Sequence, residues 1–172
     1  MSSTWLFEIL SGIYNVEFLK LSRCILQALT DFPELLEKLP DQFQKLKHVM
    51  LELEPPSVHA VLNFLDSFPC TETLVWDRCP DESWFSRKRE EWVANLPFQR
   101  IFKCLKTFVM QNSSDIEVEM KFLEFLLERA IVLEELIIKS WRPSYSDMKK
   151  KLLSVPRASS TASISFPEND FL

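Results

Sequence analysis

Hydrophobic residues recur along the chain in one spacing: an apolar position, two variable residues, a second apolar position, one variable residue and a third apolar position. Val16-Leu19-Leu21, Leu46-Val49-Leu51, Leu105-Phe108-Met110 and Leu133-Leu136-Ile138 carry it in full. Thr71-Leu74-Trp76 and Thr161-Ile164-Phe166 carry it with threonine in the first place. The middle positions fall at 19, 49, 74, 108, 136 and 164, at intervals of 30, 25, 34, 28 and 28. The alternation that ends each copy is the period-2 signature of a short strand with one buried face. Five such strands are expected, with Thr161-Ile164-Phe166 as a candidate sixth.

Between them the chain reads as helix. Ser57 precedes Val58, Val61, Leu62 and Leu65, an apolar stripe at helical spacing. Ser114 and Glu117 stand at capping-box spacing, where each side chain can satisfy an orphan amide of the first turn. Val118, Phe122, Leu126 and Ala130 then step by four along one face. Residues 25–39 form a weaker helical stretch, interrupted at Pro33. Strand and helix in alternation, at irregular intervals of 25–34 residues, fit leucine-rich repeats, whose periods run about 20–29 residues with insertions. The expected fold is α/β: a leucine-rich-repeat-like solenoid with short parallel strands on one face and helices on the other. A generic α/β domain with accidental matches is the alternative. The longest interval, from Asp77 to Phe102, holds Cys79-Pro80, Trp84, Trp92 and Pro97. It is expected to contain an irregular excursion.

If the three apolar positions of each copy point inward, the residues between them point outward along the sheet. Two rows result. The first is Phe18, His48, Thr73, Thr107 and Glu135; the second is Lys20, Met50, Val75, Val109 and Ile137. The second row is mostly apolar and is rimmed by His, Thr and Glu, as a protein-binding patch requires. These ten residues are the candidate site. The opposing expectation is that another element covers this face and makes the rows core.

Composition narrows the function. The 172 residues carry 20 basic and 25 acidic side chains, a net charge of −5. Such a balance does not suit nucleic-acid binding, which draws on many phosphate contacts. The basic clusters Arg87-Lys88-Arg89 and Lys149-Lys150-Lys151 are short, and Glu90 and Glu91 follow the first. Gly12 is the one glycine, so phosphate-cradling loops cannot be built. Cys24, Cys70, Cys79 and Cys104 show no zinc spacing, and His48 and His59 complete no ligand set. The cysteines are expected to be reduced and mostly buried. No cofactor or metal is implied. Glu117, Glu119, Glu124, Glu128, Glu134 and Glu135 fall mostly on the expected solvent face, and no catalytic constellation emerges. The chain is therefore expected not to be an enzyme. Residues 1–10 lack the pattern of a signal peptide, and no uncharged apolar run approaches the ~20 residues that span a membrane. A protein of the cytoplasm or nucleus, with no membrane contact, is expected.

The second half resembles the FBD domain of plant F-box proteins. The resemblance begins at Phe102-Lys103-Cys104-Leu105-Lys106-Thr107 and continues through Glu119, Phe122, Leu123 and residues 125–130. Val132-Leu133-Glu134-Glu135-Leu136-Ile137-Ile138 is similar to a strand motif of that family. Pro156-Arg157-Ala158-Ser159 and the strand ending Ile164-Ser165-Phe166 close it. The first half is similar to the leucine-rich repeats that precede FBD in those proteins, most clearly at residues 43–51 and 68–74. Expected boundaries are 1–100 for the repeat region, 101–167 for FBD and 168–172 for a tail. Family members usually place glycines between the strand and the capped helix; here the turn reads Gln111-Asn112-Ser113-Ser114-Asp115. Asn, Ser and Asp can serve turn chemistry without glycine.

The resemblance implies a protein-protein interaction module, similar to the substrate-recognition part of an F-box ubiquitin-ligase receptor. An F-box needs several tens of residues, and fifteen precede Val16. Direct binding of a Skp-type adaptor is therefore not expected of this chain. The alternatives are a small α/β enzyme with an unrecognised acidic site and a non-functional truncated family member. The target protein is not legible, because recognition residues vary while the fold stays constant.

Overall fold

The computed structural model describes residues 3–13, 15–32, 34–35, 43–53, 68–78, 103–113, 117–140 and 146–167. Among these, each copy of the apolar spacing is a strand: β1 (Phe18–Leu21), β2 (His48–Leu53), β3 (Thr73–Arg78), β4 (Thr107–Ser113), β5 (Glu135–Ser140) and β6 (Ser163–Ser165). They form one sheet in chain order, β1 to β6, with every neighbouring pair parallel. Four helices are described: α1 (Ser3–Gly12), α2 (Arg23–Asp31), α3 (Glu117–Arg129) and α4 (Ser146–Ser154). The expected α/β class and parallel strands are thus present.

The register places like positions of the copies side by side. Leu19, Val49, Leu74, Phe108, Leu136 and Ile164 are successive partners. Leu21, Leu51, Trp76, Met110 and Ile138 form the next inward row. A slip of one residue would turn every one of these side chains to the outer face, so their burial specifies the register.

Among the described residues, five of the six strands are approached through the same turn. The amides of Val16, Leu46, Thr71, Leu133 and Ala162 donate to the carbonyls three residues earlier, Ile13, Phe43, Phe68, Ala130 and Ser159. One carbonyl per approach then accepts two consecutive amides of the following copy. Lys47 and His48 donate to Glu17 O at 3.0 Å each, Glu72 and Thr73 to Lys47 O at 2.8 and 2.9 Å, and Lys106 and Thr107 to Glu72 O at 2.8 and 3.0 Å. Glu134 and Glu135 continue the series onto Lys106 O at 2.7 and 3.0 Å. Thr71, which stands where other copies have leucine, is buried at 5% exposure. Its hydroxyl donates to Phe68 O at 3.0 Å, so a polar atom is accommodated inside the turn.

The inward strand residues share one hydrophobic cluster with Leu6 and Leu10 of α1, Leu26 and Leu29 of α2, Leu126 of α3 and Met148 of α4. Phe122 of α3 meets Trp76 edge-on, with centroids 4.8 Å apart, and Phe108 at 5.7 Å. The phenylalanine thus bridges β3 and β4 from the helical side. Phe122, Leu126 and Ala130 are buried, as their spacing predicts. α2 ends at Asp31, where Phe32 N donates to Ala28 O just ahead of Pro33. That is the expected interruption.

Three expectations are corrected. Thr161 is exposed rather than inward; the last turn closes one residue later, and Ala162 is buried in its place. Arg157 Nη1 donates to Ala162 O at 2.7 Å and holds that turn. Glu119 is 5% exposed and belongs to the interior, because α3 is a thirteen-residue helix whose buried face is wider than a single stripe of four-residue steps. The described cysteines are not buried: Cys24 is exposed, and Cys70 and Cys104 are half-buried. Cys24 opens α2 on its outer side, and the other two sit in turns ahead of strands. The stripe from Ser57 to Leu65, the cap at Ser114, residues 79–102 of the long interval and the tail 168–172 lie outside the described residues. Asp77 and Arg78, which open that interval, belong to β3.

Candidate functional site

The parity that buries Val49, Leu74, Phe108 and Leu136 turns their neighbours to the opposite side of the sheet. Phe18, His48, Thr73, Thr107 and Glu135 are successive register partners, and Ser163 of β6 extends the row. Lys20, Met50, Val75, Val109 and Ile137 are likewise partners, extended by Ser165. All ten residues singled out from the sequence therefore share one face, in the two rows expected.

Their environments differ. Phe18 is 58% exposed, and Lys20, His48 and Glu135 are also exposed. Thr73, Thr107, Met50, Val75, Val109 and Ile137 are half-buried. Half-burial is what a flat sheet surface produces when side chains shield one another and keep their tips in solvent. With strands ~4.8 Å apart, the four apolar side chains form a stripe about 14 Å long across β2 to β5. Thr73 and Thr107 border the stripe on one side.

A third row borders it on the other side and was not read from the sequence. Glu52, Asp77 and Gln111 are register partners two residues beyond Met50, Val75 and Val109, and Lys139 holds the matching place on β5. The signal was present, since period 2 carries the outward positions one step further. Lys20 Nζ pairs with Glu52 Oε1 at 3.0 Å, linking β1 to β2. Asn112 Nδ2 donates to Asp77 Oδ1 at 2.8 Å. Asn112 is left-handed, with φ at 57°, at the register shift between Met110 and Ser113. Asparagine tolerates this region better than other non-glycine residues, so it serves where a glycine would be usual. The bulge ends the flat part of β4 and bounds the apolar stripe.

The opposite rim, at the strand approaches, is an alternating series: Glu17, Lys47, Glu72, Lys106 and Glu134. Lys106 Nζ lies 3.2 Å from Glu72 Oε2, and Lys47 Nζ lies 3.6 Å from Glu72 Oε1. The hydrogen bond from Lys106 and its charge, with a smaller contribution from Lys47, hold the Glu72 carboxyl below its ordinary value of 4.5. Opposite charges one strand apart favour this pairing over a shifted one. The rim is therefore largely self-compensated. Among the described residues, no group of three or more His, Cys, Asp or Glu side chains is placed to hold a metal ion. No described helix is long and apolar enough to cross a membrane.

Comparison with known proteins follows the same lines. The family described as FBD matches residues 97–138, which take in β4, α3 and most of β5. An FBD-associated F-box protein of Arabidopsis thaliana is 29% identical over 156 residues, covering 90% of this chain. Those residues make up 34% of the relative, so the chain spans about a third of the length of the curated protein it matches. No solved structure matches the chain at a significant level. The resemblance to FBD proteins of the F-box family, drawn from residues 102–166, is upheld by both matches.

Proposed function

We propose that this chain, an FBD-bearing relative of F-box proteins, is a protein-interaction module that binds its partner on the outer face of the sheet. The observation that carries the reading is the stripe Met50, Val75, Val109 and Ile137, assembled by register from four copies and left half-exposed. Apolar side chains in a row, bordered by threonine hydroxyls and by charged or amide groups, supply the apolar centre and polar rim of a protein interface. Phe18, exposed on β1, adds an aromatic side chain at one end.

In this reading the parallel sheet is the strand-bearing face of a leucine-rich-repeat solenoid, and residues 101–167 are its FBD end. The uniform turns and two-amide carbonyls at the strand approaches support repetition of one structural unit. Recognition of a protein destined for ubiquitin transfer would be the role inherited from the family; direct binding of a Skp-type adaptor is not assigned to these residues. Two of the carboxylates that border the stripe, Glu52 and Asp77, are engaged by Lys20 and Asn112, which supports a binding rather than a catalytic surface. The self-compensated rim supports a protein partner over nucleic acid. The cytoplasm or nucleus is the proposed site of action.

The test is substitution within the stripe. Val109→Asp and Ile137→Asp should each abolish partner binding while circular dichroism shows an intact fold. Unchanged binding by a folded Val109→Asp protein would remove the outer face from consideration.

A further inference from the structure

Cys70 and Cys104 occupy equivalent places in neighbouring copies. Each stands three residues ahead of the first paired residue of its strand, Thr73 and Thr107, and those threonines are register partners. The backbone between is bonded across the same gap: Lys106 N donates to Glu72 O at 2.8 Å, and Lys106 Nζ reaches Glu72 Oε2 at 3.2 Å. Thr71 and Leu105, which directly follow the cysteines, are both buried against the core, so neither turn is free to swing away. Carrying the β3–β4 register three residues back from Thr73 and Thr107 puts the two cysteine Cα atoms about one strand spacing apart, ~4.8 Å. That lies inside the Cα separation of about 4.4–6.8 Å that a disulfide requires. Both cysteines are half-buried and unlinked in this structure. The corresponding residues of the flanking copies are Lys45 and Val132, so the paired thiols occur only across the β3–β4 gap among the described strands.

We propose that Cys70 and Cys104 form a reversible dithiol switch that closes to a disulfide when a peroxide oxidises it. One thiolate attacks the peroxide oxygen; the S–O bond forms, the O–O bond breaks, and the departing hydroxide takes up a proton as water. The second thiol attacks the resulting sulfenic sulfur; the S–S bond forms, the S–O bond breaks, and a second water leaves with the remaining proton. Two thiols and one hydrogen peroxide give one disulfide and two waters, a two-electron oxidation of the protein. The link spans residues 71–103, the longest connection between strands, and joins the turns just ahead of Thr73 and Thr107. The strands it joins are already neighbours, so closure leaves the sheet order unchanged and restricts the unfolded chain.

The test uses the full chain, reduced and then freed of reductant. It is treated with equimolar hydrogen peroxide, capped with N-ethylmaleimide and digested for mass spectrometry, in parallel with a sample oxidised in concentrated urea. The expected result is a Cys70–Cys104 peptide, two hydrogens lighter than its parts, as the dominant link in the folded protein only. The link should persist in a Cys24→Ser, Cys79→Ser variant. Oxidation should raise the thermal midpoint, and dithiothreitol should reverse the rise. Separate capping of Cys70 and Cys104, or a Cys70–Cys104 link no more frequent than in urea, would overturn the proposal.

Discussion

Asn112 shows how one residue sets a local shape. Its left-handed backbone and its amide hydrogen bond to Asp77 together hold the bulge that ends the flat part of β4. Asn112→Gly should keep the backbone and lose the side-chain bond, whereas Asn112→Val should lose both. The valine variant is expected to be destabilised by about 1–2 kcal/mol more than wild type, the cost of a left-handed residue with a bulky Cβ. Urea denaturation of the two variants measures the difference. Thr71→Val keeps the shape of the side chain and removes the donor to Phe68 O; a loss of about 1 kcal/mol is expected by the same method. Glu72 gives a pH dependence. Its folded value lies below 4.5 because Lys106 and Lys47 favour the carboxylate. A depressed acid contributes stability above its unfolded value, and that contribution disappears as pH falls through the lower folded value. Glu72→Gln should therefore flatten the acid limb of the thermal midpoint against pH, and added salt should shrink the difference because these side chains face solvent. An unchanged acid limb would show that the pairing does not bear on stability.

At the scale of elements, α3 packs on the strands beneath it through Phe122. Phe122 lies against both Trp76 and Phe108, so it ties β3 to β4 through a helix that follows them in sequence. Phe122→Ala should cost about 3–5 kcal/mol, since the cavity would be lined by side chains from three elements that cannot all collapse inward. A loss below about 1 kcal/mol on denaturant unfolding would mean that the aromatic contacts are dispensable. The elements differ in how legible they were. Leu46-Val49-Leu51 and Leu133-Leu136-Ile138 announced their strands because three buried positions recur at fixed offsets. The outward rows followed from parity alone, and the strand register sets their members side by side. The rim was not legible, because Lys47, Glu72 and Lys106 are 25 and 34 residues apart and become neighbours only once the strands are paired. Glu119 was misplaced because one stripe of four-residue steps understates how much of a packed helix is buried. Thr161 was misplaced because the last turn closes one residue late, a shift that apolar spacing does not encode.

For the whole molecule, one face of the parallel sheet packs against the described helices, and the other carries the proposed binding stripe. The family match falls on β4 to β5, the part that contributes Val109 and Ile137, while Met50 and Val75 come from the preceding copies. The proposed binding stripe therefore straddles both regions of the chain, and neither half supplies it alone. The most direct test of this claim is quantitative affinity capture with the tagged chain from Arabidopsis extract, comparing wild type, Val109→Asp and a helix-side control, Lys150→Glu, after circular dichroism has shown all three to be folded. The account predicts that a defined set of proteins is recovered by wild type and Lys150→Glu and lost with Val109→Asp. Recovery of the same set by the folded Val109→Asp protein would contradict it.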